Sequence, residues 1–122
     1  MSKYFTEDEF KCECSANDGA GCGMDIDRQV KALLHDAREL AQIPFTIKSG
    51  ARCESHNRKV GGSKDSSHLK GVAVDIKATT SRERYEIVNA LIQVGFTRIG
   101  IAKTFIHCDL DRDKPQQLIW VY

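Results

Sequence analysis

The stretch of sequence that decides the fold is SSHLKGVAVD, residues 66–75, which runs from a polar loop into a short apolar strand. Side chains alternate between the two faces of a strand, so Ala73 and Asp75 share one face and the flanking valines share the other. A buried carboxylate is costly unless it is paired or bound to a metal. The stretch therefore predicts a strand with a functional carboxylate, toward which His68 can fold back from the preceding loop.

A second strand, FIHCD at residues 105–109, follows the same alternation, and His107 and Asp109 project together from the face opposite its core residues. His68, Asp75 and His107 supply two imidazoles and a carboxylate. This is the ligand set of a catalytic zinc, which leaves a fourth position for water. If these residues meet in space, they predict a metallohydrolase. The competing interpretation makes each histidine an ordinary surface or core residue and pairs Asp75 with an arginine.

Two further segments have apolar residues at helical spacing. The first helix follows a cap at Asp25 or Asp27, and the second opens at Thr80 with Glu83 in a capping box. A similar box at residues 6–9 predicts a short helix over residues 6–10. The residues expected to face inward are Ile26, Val30, Leu33, Leu34, Ala37, Leu40 and Ala41 in the first long helix and Tyr85, Val88, Leu91 and Ile92 in the second.

The remaining chain predicts short strands and one long polar loop, which covers residues 51–67. The strands are expected over residues 45–48, 72–77, 98–101, 104–110 and 118–121. Trp120 in the last strand is expected to close the core. Two main helices beside a small, mostly antiparallel sheet predict an α+β fold. A length of 122 residues suits a single domain over residues 1–122.

Composition excludes several classes of function. A net charge of +1 gives no reason to expect nucleic-acid binding. The longest apolar runs are too short to insert into a membrane. The acidic N-terminus lacks the apolar region of a secretory signal, so we expect synthesis in the cytoplasm and another route to any target outside it. We also expect a monomer.

The pattern SxHxxGxAxD at residues 66–75, followed by His107, resembles the zinc D-Ala-D-Ala carboxypeptidase family. This family includes phage L-alanyl-D-glutamate endopeptidases, and hedgehog signalling domains share its fold. SGAR at residues 49–52 resembles the family's SGxR motif, and HNRKVGG at residues 56–62 resembles its small phage-associated branch. The similarity runs from about Phe10 to the C-terminus. It implies a zinc peptidase of carboxypeptidase or L,D-endopeptidase type that acts on peptidoglycan peptides, in a phage or prophage lysis protein.

The resemblance also implies a role for each matched residue. His68, Asp75 and His107 match the ligands of one catalytic zinc. Arg52 matches the arginine that holds a substrate carboxylate or polarises the scissile carbonyl, and Ser66 matches a serine near the substrate. The alternative for Arg52 is a structural ion pair with Asp75 or a loop carboxylate.

The sequence departs from the family at the general base. Many relatives carry Glu or Asp three residues before the last zinc histidine, where this chain has Thr104. Asp109 is the nearest replacement on the same strand face. We expect it to be catalytic and to accept the proton of a zinc-activated water, and the alternative is that it orients His107. The departure also leaves open a catalytically inactive, zinc-stabilised binding module of the same fold.

Four of the five cysteines form a second candidate group, made of Cys12, Cys14 and Cys22 in a polar loop and Cys53 far downstream. A second, structural zinc, a disulfide to Cys53 and free thiols all remain open, since the one-residue gap after Cys12 is not the usual knuckle spacing. Cys108 falls on the core face of its strand and is expected to be buried.

Overall fold

The computed structural model describes residues 3–122. In chain order its elements are α1 (Arg28–Ala41), β1 (Ile47–Ser49), α2 (Glu54–Lys59), a 3₁₀ helix (Ser67–Lys70), β2 (Ala73–Lys77), α3 (Ser81–Val94), β3 (Arg98–Ile101), β4 (Phe105–Asp109) and β5 (Leu118–Val121). The sheet order is β1-β2-β4-β3-β5, in which only the β3–β5 pair is parallel. The α+β class and the mostly antiparallel sheet are therefore confirmed.

The two long helices begin at caps that the sequence predicts. Asp27, rather than Asp25, caps α1 by accepting a 2.8 Å hydrogen bond from the Gln29 amide. Thr80 and Glu83 form the expected capping box of α3, and Gly95 ends that helix in the left-handed region. The helices pack against each other and bury their apolar stripes in the core beside the sheet.

Three residues expected to face inward are instead exposed, namely Leu40 at 52%, Tyr85 at 68% and Ile92 at 50%. Each successive helical residue turns by about 100°. Leu40 directly precedes buried Ala41, and Ile92 directly follows buried Leu91. Tyr85 lies two positions before buried Ile87. These predictions were wrong because apolar residues at the edge of a helical stripe cannot be told from those at its centre by spacing alone.

Two segments differ from the predicted elements. Residues 7–10 form a turn, so the helix predicted over residues 6–10 does not form, although the Thr6 amide does donate to Glu9 at 3.0 Å. The Cys12 amide instead bonds to the Met24 carbonyl at 2.8 Å, which draws the chain away from a helical path. The predicted loop over residues 51–67 contains α2, whose single buried residue, Asn57, leaves no apolar stripe to recognise.

The faces of the central strands agree with the alternation. Asp75 on β2 lies opposite His107 on β4, and the intervening residues of both strands fill the core. Trp120 is the exception, because it is half-buried on the same face as His107 rather than in the core. Its partner in the parallel pairing is Gly100, where a side chain would collide with the indole ring. In residues 3–122, the helices are all too short or too polar to span a bilayer.

Candidate metal centre

Three buried side chains bring metal-binding atoms together at one end of the central strands. His68 comes from the 3₁₀ helix, Asp75 from β2 and His107 from β4. Their ligand atoms all lie within 4.8 Å of one another. Asp75 Oδ1 is 3.3 Å from Nε2 of His68 and 2.9 Å from Nδ1 of His107. The three residues that the sequence proposes as ligands are thus brought together.

Local structure directs the His68 ring into the centre. Ser66 caps the 3₁₀ helix by accepting from the His68 amide at 3.2 Å, and Gly71 ends the helix with a φ of 70°. The ring Nδ1 lies 2.6 Å from the Gly50 carbonyl oxygen, which can only accept. Nδ1 therefore carries the proton, and the lone pair of Nε2 faces Asp75. This is the tautomer that a metal ligand needs.

His107 lies between two carboxylates. Its Nδ1 faces Asp75, and its Nε2 is 2.7 Å from Oδ2 of Asp109. Burial would lower the pKa of His107, but its hydrogen bonds to Asp109 and Asp75 raise it instead. Without a metal the ring can donate a proton to each carboxylate. A metal ion would take the place of the Nδ1 proton and leave the Asp109 contact intact.

Asp75 has an electrostatic environment that keeps it ionised. Burial alone would raise its pKa, but hydrogen bonds from His107 and His68 lower it to about 2. Arg52 adds a guanidinium, with Nη2 at 3.4 Å from Oδ2 of Asp75. An ionised carboxylate and two imidazoles in a buried setting are donors that suit zinc, so the residues present fit the ion.

Arg52 is held by several partners beside the metal centre. Its Nε donates to Ser49 Oγ at 3.0 Å, and its Nη1 donates to Asn57 Oδ1 at 3.1 Å. Asn57 in turn donates to the Ser63 carbonyl at 2.8 Å. The ion pair with Asp75 supports the alternative that Arg52 has a structural role. However, the Arg52 side chain also lines the open cavity described below. Sequence reasoning missed Asn57, whose only signal is its place in HNRKVGG.

Asp109 is enclosed and engaged at both oxygens. Its Oδ1 accepts from Arg98 Nε at 2.8 Å and from the Asp111 amide at 3.0 Å, while Oδ2 faces His107. Burial would raise its pKa, but the hydrogen bond from His107 and the nearby charges lower it. A carboxylate on the far nitrogen of a metal-binding histidine fixes ring orientation. The geometry favours this positioning role over that of a free proton acceptor.

A cavity of about 470 Å³ opens onto the three candidate ligands. Its wall contains Arg52 and Ser66, as proposed, and also residues that the sequence analysis did not select for the site: Gly62, Arg98, Phe105, Lys114, Trp120 and Tyr122. Trp120 reaches the site because β5 pairs in parallel with β3, a long-range contact that no local pattern indicates. Among the described lining residues, the two carboxylates are Asp75 and Asp109.

The position of the family's general base and the carboxylates of the segment before His68 lie elsewhere. Thr104 is exposed in the turn between β3 and β4 and does not line the cavity. Glu54 and Asp65 are also exposed and outside the described lining. The four cysteines at positions 12, 14, 22 and 53 form a separate cluster, and all of them are free thiols. Cys108 is buried in the core, as expected.

Comparison with protein families finds one described as Peptidase M15, which matches residues 3–109. A comparison with curated proteins found no significant match. The family match contains the three candidate ligands and Asp109, whereas Trp120 and Tyr122 lie beyond it. Since the match covers most of the chain, this protein belongs to the Peptidase M15 family, whose members are zinc-dependent peptidases.

Proposed function

We propose that the protein is a zinc metallopeptidase that hydrolyses peptide bonds in the stem peptides of bacterial peptidoglycan. His68, Asp75 and His107 hold the ion. The observation that carries the proposal is the convergence of these three buried donors at a cavity that also contains Arg52. The family membership supports the same reaction class.

The chemistry divides between the ion and the chain. When bound, zinc supplies a Lewis acid that polarises the peptide carbonyl and activates water. Gly50 holds the proton of His68 at Nδ1, and Asp109 holds that of His107 at Nε2. Both rings therefore keep one nitrogen available to the ion in a fixed orientation. The 470 Å³ cavity is large enough to take several residues of a peptide.

The charges of the cavity favour an anionic peptide. Arg52, Arg98 and Lys114 line it, and its two carboxylates already face histidines or arginines. The three hydrogen bonds of Arg52 use one N–H on each of its nitrogens, which leaves two N–H groups of the guanidinium for a substrate carboxylate. Stem peptides carry such carboxylates. A planar guanidinium binds them with more specific geometry than an ammonium group does.

The substrate bond and the biological setting follow from the resemblance noted in the sequence. The proposal covers D-Ala-D-Ala carboxypeptidase and L,D-endopeptidase activity, since both use the same metal core. The HNRKVGG segment supports a phage or prophage lysis protein. Incubation of the zinc-loaded protein with purified sacculi, followed by mass spectrometry of the products, separates the two bonds. Release of D-Ala indicates the first activity and cleavage within the stem indicates the second.

A catalytically inactive zinc-stabilised binding module is the second candidate. It is favoured by the position of Thr104 in an exposed turn and by the engagement of both Asp109 oxygens. Sedimentation with sacculi separates the candidates. A His68→Ala, His107→Ala variant controls for residual binding without the metal centre. Zinc-dependent binding with no product would support the module, and zinc-dependent product release that the variant abolishes would support the peptidase.

A further inference from the structure

A second group of metal-binding atoms lies apart from the cavity. Cys12, Cys14 and Cys22 come from the segment before α1, and Cys53 directly precedes α2. Their four sulfur atoms all lie within 4.8 Å of one another. Tetrahedral zinc with Zn–S bonds of about 2.3 Å separates its sulfurs by about 3.8 Å. The cluster therefore needs only a small contraction to enclose an ion.

We propose that Cys12, Cys14, Cys22 and Cys53 bind a second, structural zinc ion. Four sulfur ligands form a closed tetrahedral shell with no position left for water or substrate, which is the arrangement of structural rather than catalytic zinc. Thiolates select soft and borderline metals over magnesium and calcium. The four side chains are all free thiols, so they are available as ligands.

The backbone around the cluster is arranged to support thiolate ligands. The Cys22 amide nitrogen lies 3.1 Å from the Cys14 sulfur, and the Cys53 amide nitrogen lies 3.3 Å from the Cys12 sulfur. N–H groups that donate to a charged acceptor stabilise it. These hydrogen bonds join cysteines that are 8 and 41 residues apart in sequence, so they also hold the sulfurs together.

A tight reversal of the chain compensates for the one-residue gap between Cys12 and Cys14. Gly21 has a φ of 92°, and a Cβ atom there would lie 2.8 Å from the Cys12 carbonyl oxygen. Asn17 donates to the Gly21 carbonyl at 2.8 Å and closes the loop from inside. The chain therefore returns to the first two cysteines within a few residues and delivers Cys22 beside Cys14.

The cysteine site would fix the N-terminal segment to the chain that carries Arg52. The Ala51 amide donates to the Phe10 carbonyl at 2.9 Å, two residues before Cys12. Phe10 is buried, and there is no room for a side chain at Gly50 beside its backbone. Zinc at Cys53 would join the same two segments a second time. Because metal binding that requires the folded arrangement stabilises it, loss of this ion should lower the melting temperature.

Metal stoichiometry tests the proposal independently of peptidase activity. The His68→Ala, His107→Ala variant removes two ligands of the first centre and should retain one zinc per chain. A Cys14→Ser, Cys22→Ser variant should lose one zinc relative to the unaltered protein. Cys108→Ala is the matched control, because this cysteine lies in the core away from the cluster, and it should leave the zinc content unchanged.

Cobalt substitution identifies the ligands even if the double cysteine variant does not fold. Cobalt in the His68→Ala, His107→Ala variant should give the thiolate charge-transfer bands and intense visible bands of tetrahedral sulfur coordination. If the His68→Ala, His107→Ala variant binds no zinc, or if its cobalt form lacks these bands, the proposal is overturned. Fewer than five thiols in the metal-free, denatured protein would also overturn it in favour of a disulfide. The cobalt bands in this variant, together with no peptidase activity in the unaltered zinc-loaded protein, would leave the cysteine site standing and refute only the proposed function.

Discussion

Replacement of Asp109 by asparagine separates two roles that the same carboxylate can play. If Asp109 positions His107, the change should weaken zinc binding by about 10–100-fold, which is the usual effect of altering a group that orients a metal ligand. Asparagine has nearly the same shape and can still accept from His107 Nε2. It lacks the negative charge that faces the ring at 2.7 Å. We therefore expect the variant to keep a zinc site of lower affinity.

The contacts of Asp109 also predict a loss of stability. Arg98 donates to it at 2.8 Å, and the side chain of Arg98 is only 10% exposed. Removal of one member of a buried ion pair destabilises a protein by about 3–5 kcal/mol. Arg98 retains a 2.6 Å hydrogen bond to the Pro115 carbonyl and a contact with the Trp120 ring. The loss should therefore fall toward the lower end of that range.

The Arg98→Gln variant is the matched control, because it breaks the same ion pair and leaves the contact between Asp109 and His107. Zinc affinity is measured by competition with a chelator, stability by denaturant unfolding, and turnover at saturating zinc. We expect both variants to lose stability but only Asp109→Asn to lose zinc affinity. Normal zinc affinity in Asp109→Asn with a rate about 10²–10⁴-fold lower would refute the positioning role and assign proton transfer to Asp109. Equal losses of affinity in both variants would show damage to the fold instead.

Three further predictions concern the surroundings of the centre. The His68→Ala, His107→Ala variant should lose one zinc and all peptidase activity, measured by elemental analysis and product release; retained turnover would contradict the ligand assignment. Arg52→Lys should lower kcat/KM by about 10²-fold through loss of its directed donors while zinc content stays constant, whereas parallel loss of zinc would point to a structural role. Asp111 has its pKa lowered to about 2 because hydrogen bonds from Lys70 and Ser67 outweigh burial. Its folded-state pKa lies below the unfolded value, so it should add about 1–2 kcal/mol above pH 4 that is lost toward pH 2; denaturant unfolding of Asp111→Asn should lack this dependence.

The three candidate metal ligands could be predicted because each lies in a short sequence pattern that fixes its local geometry. Strict alternation fixes the faces of β2 and β4, so Asp75 and His107 had to project from the face opposite the core. The antiparallel pairing then places them directly opposite each other. His68 is held by the glycine-terminated turn that its own motif encodes. Short-range geometry is therefore sufficient for most of this site.

The other features of the cavity depend on contacts between distant segments. Trp120 faces His107 only because β5 returns beside β3, and that pairing has no local signal. Asn57 is the buried residue of a helix that has no apolar face, and its side chain accepts a hydrogen bond from Arg52. The role of Asp109 could not be chosen from strand alternation either, because Arg98 approaches from a different strand. Burial of polar side chains reflects tertiary pairing, which periodicity does not encode.

One short segment, residues 49–53, links the candidate metal centre to the cysteine cluster. Ser49 accepts from Arg52, the Gly50 carbonyl accepts from His68, and the Arg52 amide donates to the His68 carbonyl at 3.1 Å. Cys53 then enters the cluster at the next position. Residues 50 and 52 are bonded to His68, and Cys53 belongs to the cysteine cluster. The segment therefore has little freedom to shift without moving the His68 ring. An ion bound by the cysteines would therefore stabilise the orientation of His68, a candidate ligand of the first centre, through the backbone, with no need for contact between the two sites.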